Sequence, residues 1–131
     1  MGNRKKPRNP MEAKEALGEF FGKLEYLVDV VVVEGPRDVE ALRSLDFKGR
    51  VIICSKVGVS DAELAESLAV DASSVVILTD FDEEGRSLNK RLTRLLERRG
   101  LKIERGLRRE AGRLMAYIGV YAVEALDDAL P

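Results

Sequence analysis

The chain has 131 residues, with 22 Lys and Arg against 23 Asp and Glu, one Cys, and no His or Trp. That length predicts a single domain able to bury about two-thirds of its unfolded surface, and the lone Cys excludes a disulfide framework and fits a reducing cytoplasm. The absence of His removes the commonest acid–base side chain, and no apolar run approaches the roughly 20 residues of a membrane span.

Residues 1–10 (MGNRKKPRNP) are basic, contain proline and lack apolar periodicity, so they read as a disordered arm ahead of one domain over 11–131. Ala13, Ala16, Leu17, Phe20, Phe21, Leu24 and Leu27 recur at helical spacing and predict an amphipathic helix leading into the first strand. Val30–Val33 is a β-branched run of the kind buried on both faces of a parallel sheet. Pro36 suits the first position, and Asp38 the first turn, of a helix reaching about Leu45. Gly49 marks the turn into a second strand, Arg50–Cys54. Ser60-Asp61-Ala62-Glu63 is a capping box that opens a helix from Asp61 to about Val70. A third strand, Val75–Leu78, leads to a helix from about Glu84 to Arg98. Its buried stripe is Leu88, Leu92, Leu95 and Leu96, with Arg86, Lys90, Arg94 and Arg98 opposite. Gly100 ends it, Leu101–Ile103 forms a short fourth strand, and a last helix runs from about Arg109 to Asp128. Strands alternating with helices imply an α/β fold: a mainly parallel four-stranded sheet with right-handed crossovers and helices on both faces.

The charge is unevenly distributed. No Lys or Arg occurs from Val57 to Gly85, whereas Arg86 to Arg113 is strongly basic, opposed only by Glu97, Glu104 and Glu110. An acidic site flanked by a basic stretch suits a metal enzyme that grips a phosphate backbone; the bland alternative is a set of solvated helix faces. The acids sit where strands end. Glu34 follows the first apolar run, and Asp80 and Asp82 follow the third, spaced so that both carboxylates of an extended segment face one side. In open parallel sheets the functional crevice lies outside the carboxyl ends of the strands. Like charges gathered there call for a compensating divalent cation, and Mg²⁺ takes oxygen ligands while keeping waters for substrate phosphates. Gly35 and Gly85 read as tight-turn residues beside the acids. Lys56, just beyond the second strand, and Arg86, Lys90 and Arg94 are the candidate phosphate and nucleic-acid contacts.

Val33-Glu34-Gly35 with Asp38, followed by Asp80-x-Asp82-x-x-Gly85 after a later strand, resembles a Toprim domain over about residues 28–104. That three-layer fold is shared by topoisomerases, bacterial-type primases, OLD-family nucleases and the ribonuclease that matures 5S ribosomal RNA. The overall likeness is to small, stand-alone archaeal primase-like Toprim proteins. The resemblance implies catalytic and metal-ligand roles for Glu34, Asp80 and Asp82, Glu34 acting as ligand or as general base. Glu84 matches a further glutamate of type IA topoisomerases, and Asp38 is ambiguous between a helix-start acid and a ligand. Phe81 departs from the proline common at its position. If Glu34 and the aspartates share one metal, strands one and three are neighbours, which favours the order 2-1-3-4.

The expected function is Mg²⁺-dependent phosphodiester chemistry on nucleic acid, with Mn²⁺ able to substitute. A nuclease, with RNA the preferred substrate, is favoured over a nucleotidyl transferase. The alternative is a non-enzymatic metal-binding module that binds nucleic acid or a partner protein. Tyr26, Tyr117 and Tyr121 fall in helices, so a self-sufficient topoisomerase is excluded. No membrane role is expected, and the oligomeric state stays open. The Arg- and Glu-rich composition without Gln is thermophile-like.

Overall fold

The computed structural model describes residues 6–130. In chain order it contains α1 (Pro10–Leu27), β1 (Val30–Val33), α2 (Pro36–Ser44), β2 (Val51–Ile53), α3 (Asp61–Asp71), β3 (Ser74–Ile77), α4 (Glu83–Arg98), β4 (Lys102–Ile103) and α5 (Arg105–Ile118). A 3₁₀ turn (Val123–Ala125) and a short α6 (Leu126–Ala129) follow. The four strands form one sheet in the order 2-1-3-4, and every pairing is parallel. No helix among the described residues is long and apolar enough to cross a membrane.

The alternation of side chains along a strand divides the core in two. Val31 and Val33 of β1, with Val76 and Leu78, face a cluster built from α1, α2, α5 and the C-terminal segment. Val30 and Val32, with Val75 and Ile77, face the other way, onto Leu64 and Leu68 of α3 and Leu92 and Leu96 of α4. β1 is therefore apolar at every position because it is buried on both sides. Each of these large side chains removed from water contributes about 1.5–3 kcal/mol.

Local signals account for most boundaries. Ser60 Oγ accepts from the Glu63 N–H at 3.1 Å and Glu63 returns the bond at 3.3 Å, completing the expected capping box. Pro36 occupies the first turn of α2. Two expectations need correction. Of the arm placed over residues 1–10, residues 1–5 lie outside the described residues, whereas Asn9 caps α1 through a 2.9 Å bond from Glu12 N–H and Pro10 opens the helix. The single last helix expected over Arg109–Asp128 begins four residues earlier and breaks at Gly119. That residue adopts a left-handed conformation at φ 90°, and the Gly119 and Val120 N–H groups both return to Met115 O. Only glycine enters this conformation without a Cβ penalty, so the chain turns there and re-forms helix only at Leu126.

Candidate metal centre and phosphate-binding face

β1 and β3 are neighbours, so Glu34 and the Asp80–Asp82 segment emerge side by side at the carboxyl edge of the sheet. They are in contact: Glu34 Oε2 accepts the Asp80 backbone N–H at 2.8 Å. The Asp80 carboxyl is pushed up to about 7, first by burial, then by its hydrogen bond with Glu34, then by the charges of Glu34, Asp38 and Asp82. A carboxyl so placed competes for a proton unless a cation relieves the crowding.

The loop from Thr79 to Gly85 folds back on itself. Thr79 Oγ1 donates to Gly85 O at 2.7 Å, and Asp82 Oδ1 accepts from Gly85 N–H at 2.7 Å as the N-cap of α4. The Gly85 Cα lies directly against the Asp80 backbone, and any Cβ there would collide with the Asp80 carbonyl. The turn role expected of Gly85 thus has a steric cause. Gly35 differs. Its φ of −150° is ordinary extended backbone, and nothing lies within 4 Å of where a Cβ would stand. The chain bends at Glu34–Gly35, but this turn does not require a glycine.

Asp38 is a buried carboxylate with both oxygens engaged: Oδ2 accepts from Gly35 N–H at 3.0 Å and Oδ1 from Glu124 N–H at 2.9 Å. It fastens the C-terminal 3₁₀ turn to the start of α2 and adds negative potential at Asp80. Glu84 is exposed in the first turn of α4.

Arg108 was not foreseen. Alternate carbonyls of β3 point toward β4: Ser73 O accepts from Lys102 N–H and Val75 O from Glu104 N–H. β4 stops there, and the next two carbonyls in the same series are capped by one guanidinium. Arg108 Nη1 donates to Ile77 O at 3.0 Å and Thr79 O at 2.9 Å, while Nη2 donates to Asp80 O at 3.3 Å. The same group stacks 4.2 Å from the Phe81 ring centroid. Burial and the nearby Arg86 hold its pKa well below the arginine norm, at about 10, against the opposing pull of Glu34 and Asp80. Phe81 N–H donates to Tyr121 O at 2.7 Å, so the segment after Gly119 also braces the loop. One signal was available. Arg108 lies three residues before Ala111 and seven before Met115, on the buried stripe of α5, where a cation needs oxygen partners.

The cationic candidates divide by location. Arg86, Lys90 and Arg94 are exposed along α4 and take no ion-pair or hydrogen-bond partner from their side chains among the described residues, whereas Arg91 pairs with Asp61 and Arg99 with Glu66. Lys56 is exposed beyond β2, on the opposite flank of β1. The acids therefore lie between Lys56 and the α4 row.

The donors at the sheet edge are all carboxylate oxygens, which suits a hard divalent cation of the Mg²⁺ type. Among the described residues no group of three His, Cys, Asp or Glu side chains stands close enough together to hold a metal ion.

A parallel sheet in this order, with an acid after its inner strand and Asp-x-Asp after the neighbouring one, defines a Toprim domain. The Toprim domain model matches residues 29–108, and the chain belongs to that family. Within it, the chain is 38% identical over 100 residues to a UPF0292 protein of the archaeon Pyrococcus furiosus, covering 76% of this chain and 72% of that one. It is 36% identical over 102 residues to a UPF0292 protein of Methanocaldococcus jannaschii, covering 70% and 78%. A solved structure of an Aquifex aeolicus protein shares the fold with a TM-score of 0.68 and 24% identity, over 90% of this chain and 98% of that one. At the level of the family, the Toprim domain supports metal-dependent chemistry on nucleic acid.

Proposed function

We propose that this protein is a Mg²⁺-dependent nuclease acting on phosphodiesters, RNA before DNA, with Asp80, Asp82 and Glu34 holding the metal. The observation that carries this reading is Asp80 itself: its backbone N–H is bonded to Glu34 Oε2 at the end of the neighbouring strand, and its carboxyl is raised to about 7, beside a row of cations that have no ion-pair partner among the described residues. Bound Mg²⁺ would polarise the scissile phosphate and offset the charge that develops on it.

The chain's own residues supply the rest. Glu34 orients the Asp80 amide through Oε2 and is the group to take the proton of an attacking hydroxyl. Asp38 is a positioning residue that holds the Glu34–Gly35 turn, and Arg108 is another, holding the Thr79–Asp80 carbonyls. Arg86, Lys90 and Arg94 take the phosphate backbone on one flank and Lys56 takes it on the other. Glu84 would join only if a second ion binds.

One observation favours a second reading, a binding module whose metal is structural: Asp82 Oδ1 is committed to capping α4. Incubating labelled single-stranded RNA and DNA with excess protein separates the two readings. The enzyme cleaves with Mg²⁺ or Mn²⁺, and Asp80→Asn, Asp82→Asn and Glu34→Gln each lose cleavage while retaining binding. Tight binding by wild type with no cleavage in either metal would reject the nuclease.

A further inference from the structure

Between α4 and α5, beside the short edge strand β4, lies a groove of about 750 Å³, within the range of pockets that take small ligands whole. The two helices pass in opposite senses: the start of α5 meets the end of α4 through Arg105 and Glu97, while Gly112 of α5 packs on Phe81, just ahead of α4. Each wall is cationic. Arg86, Lys90 and Arg94 stand on α4, and Arg109 and Arg113 on α5, all five exposed and without ion-pair partners among the described residues.

The groove has unlike ends. At one, Arg105 donates to both Glu97 oxygens, at 2.8 and 3.0 Å, so an ion pair bridges the walls. At the other, Phe81 and Arg86 stand directly beside Asp80 and Asp82. The floor of the groove is apolar, with Ile77 and Ile103, and Tyr121 is 68% exposed at the rim. Residues four apart on a helix are about 6 Å apart along its axis, so each wall offers cations at a repeat close to that of successive phosphates on an extended strand. Unpaired bases stack on exposed aromatic rings and apolar floors.

From this geometry we infer that the α4–α5 groove binds the terminal two to four nucleotides of a single strand, its end stopped at the Glu97–Arg105 bridge and its next phosphate delivered to the Asp80–Asp82 loop. This rests on the reading of that loop as the reacting site and adds the form of the substrate. The Arg109 and Arg113 wall becomes as important as the α4 row.

Fluorescence anisotropy on the full chain in EDTA tests it with single-stranded RNA oligomers of two, three, four, eight and twelve nucleotides, a circularised twelve-mer, and a blunt duplex. Affinity should rise to about four nucleotides and then level, and the linear twelve-mer should bind at least about tenfold tighter than its circle or the duplex, the scale set by one or two stacked bases. Arg109→Ala with Arg113→Ala should flatten the salt dependence of tetramer binding by up to about 1.4 log units per log unit of salt, at about 0.7 per phosphate contact, leaving the remainder to the α4 row. Both positions are exposed, so circular dichroism should show an unchanged fold, and Arg94→Glu gives an independent check. Affinity that climbs steadily to twelve nucleotides, a circle that binds as well as the linear strand, or an unchanged salt slope would overturn the inference. Because no metal is present, these readouts do not depend on cleavage. Cleavage by wild type with the groove results negative would leave the nuclease standing and place its substrate elsewhere.

Discussion

Asp80 has its carboxyl held near neutrality by burial and by Glu34, and that has a consequence for stability. Its pKa is about 7 in the folded chain and about 3.9 in an unfolded one. Between those values the folded state keeps a proton that the unfolded state has lost, so metal-free stability declines as pH rises through this window. Below about 4 the group is protonated in both states and contributes nothing; above about 7 the full penalty applies. Urea denaturation in EDTA at pH 5 and pH 8 should show wild type losing more stability across the interval than Asp80→Asn, which carries no titrating group there. Equal losses would show that Asp80 is not under strain. Arg108 is the counterpart on the other side of the loop. Arg108→Ala strips the donor from the Ile77, Thr79 and Asp80 carbonyls and should cost about 2–4 kcal/mol in a denaturation midpoint series. Arg108→Lys, with a compact ammonium in place of a planar fork, should recover only part of that.

Among the elements, α4 combines two roles that its sequence separates by face. Leu92 and Leu96 are buried against β3 and α3, while Arg86, Lys90 and Arg94 are exposed and have no ion-pair partner among the described residues. Replacing Arg86 and Lys90 with alanine should change stability by no more than about 0.5 kcal/mol. It should also flatten the salt dependence of single-strand binding by about 1.4 log units, two contacts at about 0.7 each. An unaltered slope would return that row to a solvated surface. α5 differs because its stripe mixes Arg108 with Ala111 and Met115, and because Gly119 ends it. The glycine lets the following segment turn back so that Tyr121 and Glu124 reach Phe81 and Asp38 through the backbone. A continuous helix to Asp128 would carry those groups away from the site.

At the scale of the whole molecule, the acidic edge joins two strands, two helix starts and the C-terminal turn, so a ligand gathered there bears on the entire fold. Divalent metal that binds only the folded chain should raise the melting temperature by mass action, about 2.7 kcal/mol of stabilisation at a hundred times Kd. Differential scanning calorimetry with Mg²⁺ and Mn²⁺ should show the shift in wild type and its loss in Asp80→Asn. A shift of full size in Glu34→Gln would remove Glu34 from the ligand set. The Arg- and Glu-rich composition further predicts a metal-free melting temperature above about 60 °C, beyond most mesophile domains.

The layers and the strand-end acids were legible in the linear chain because each depends on local or periodic signals, and the sheet order followed from supposing that Glu34 and the aspartates share one metal. β-branched runs mark strands buried on both faces, Ser60 with Glu63 and Pro36 mark helix starts, and acids directly after two such runs can share one metal only if those strands are neighbours. Tertiary structure alone decided what depends on a group's partners rather than on its position. Gly35 and Gly85 follow strand-end acids in the same way, yet only Gly85 meets another backbone. Asp38 could have pointed outward but is drawn in by the Glu124 amide across the fold. Arg108 lies among many arginines in a basic stretch, and it is the early end of β4 that leaves carbonyls for it to cap. A carboxylate or guanidinium has much the same intrinsic chemistry wherever it occurs in a chain; burial and the oxygen or amide that faces it determine whether it is a solvated charge or part of a site.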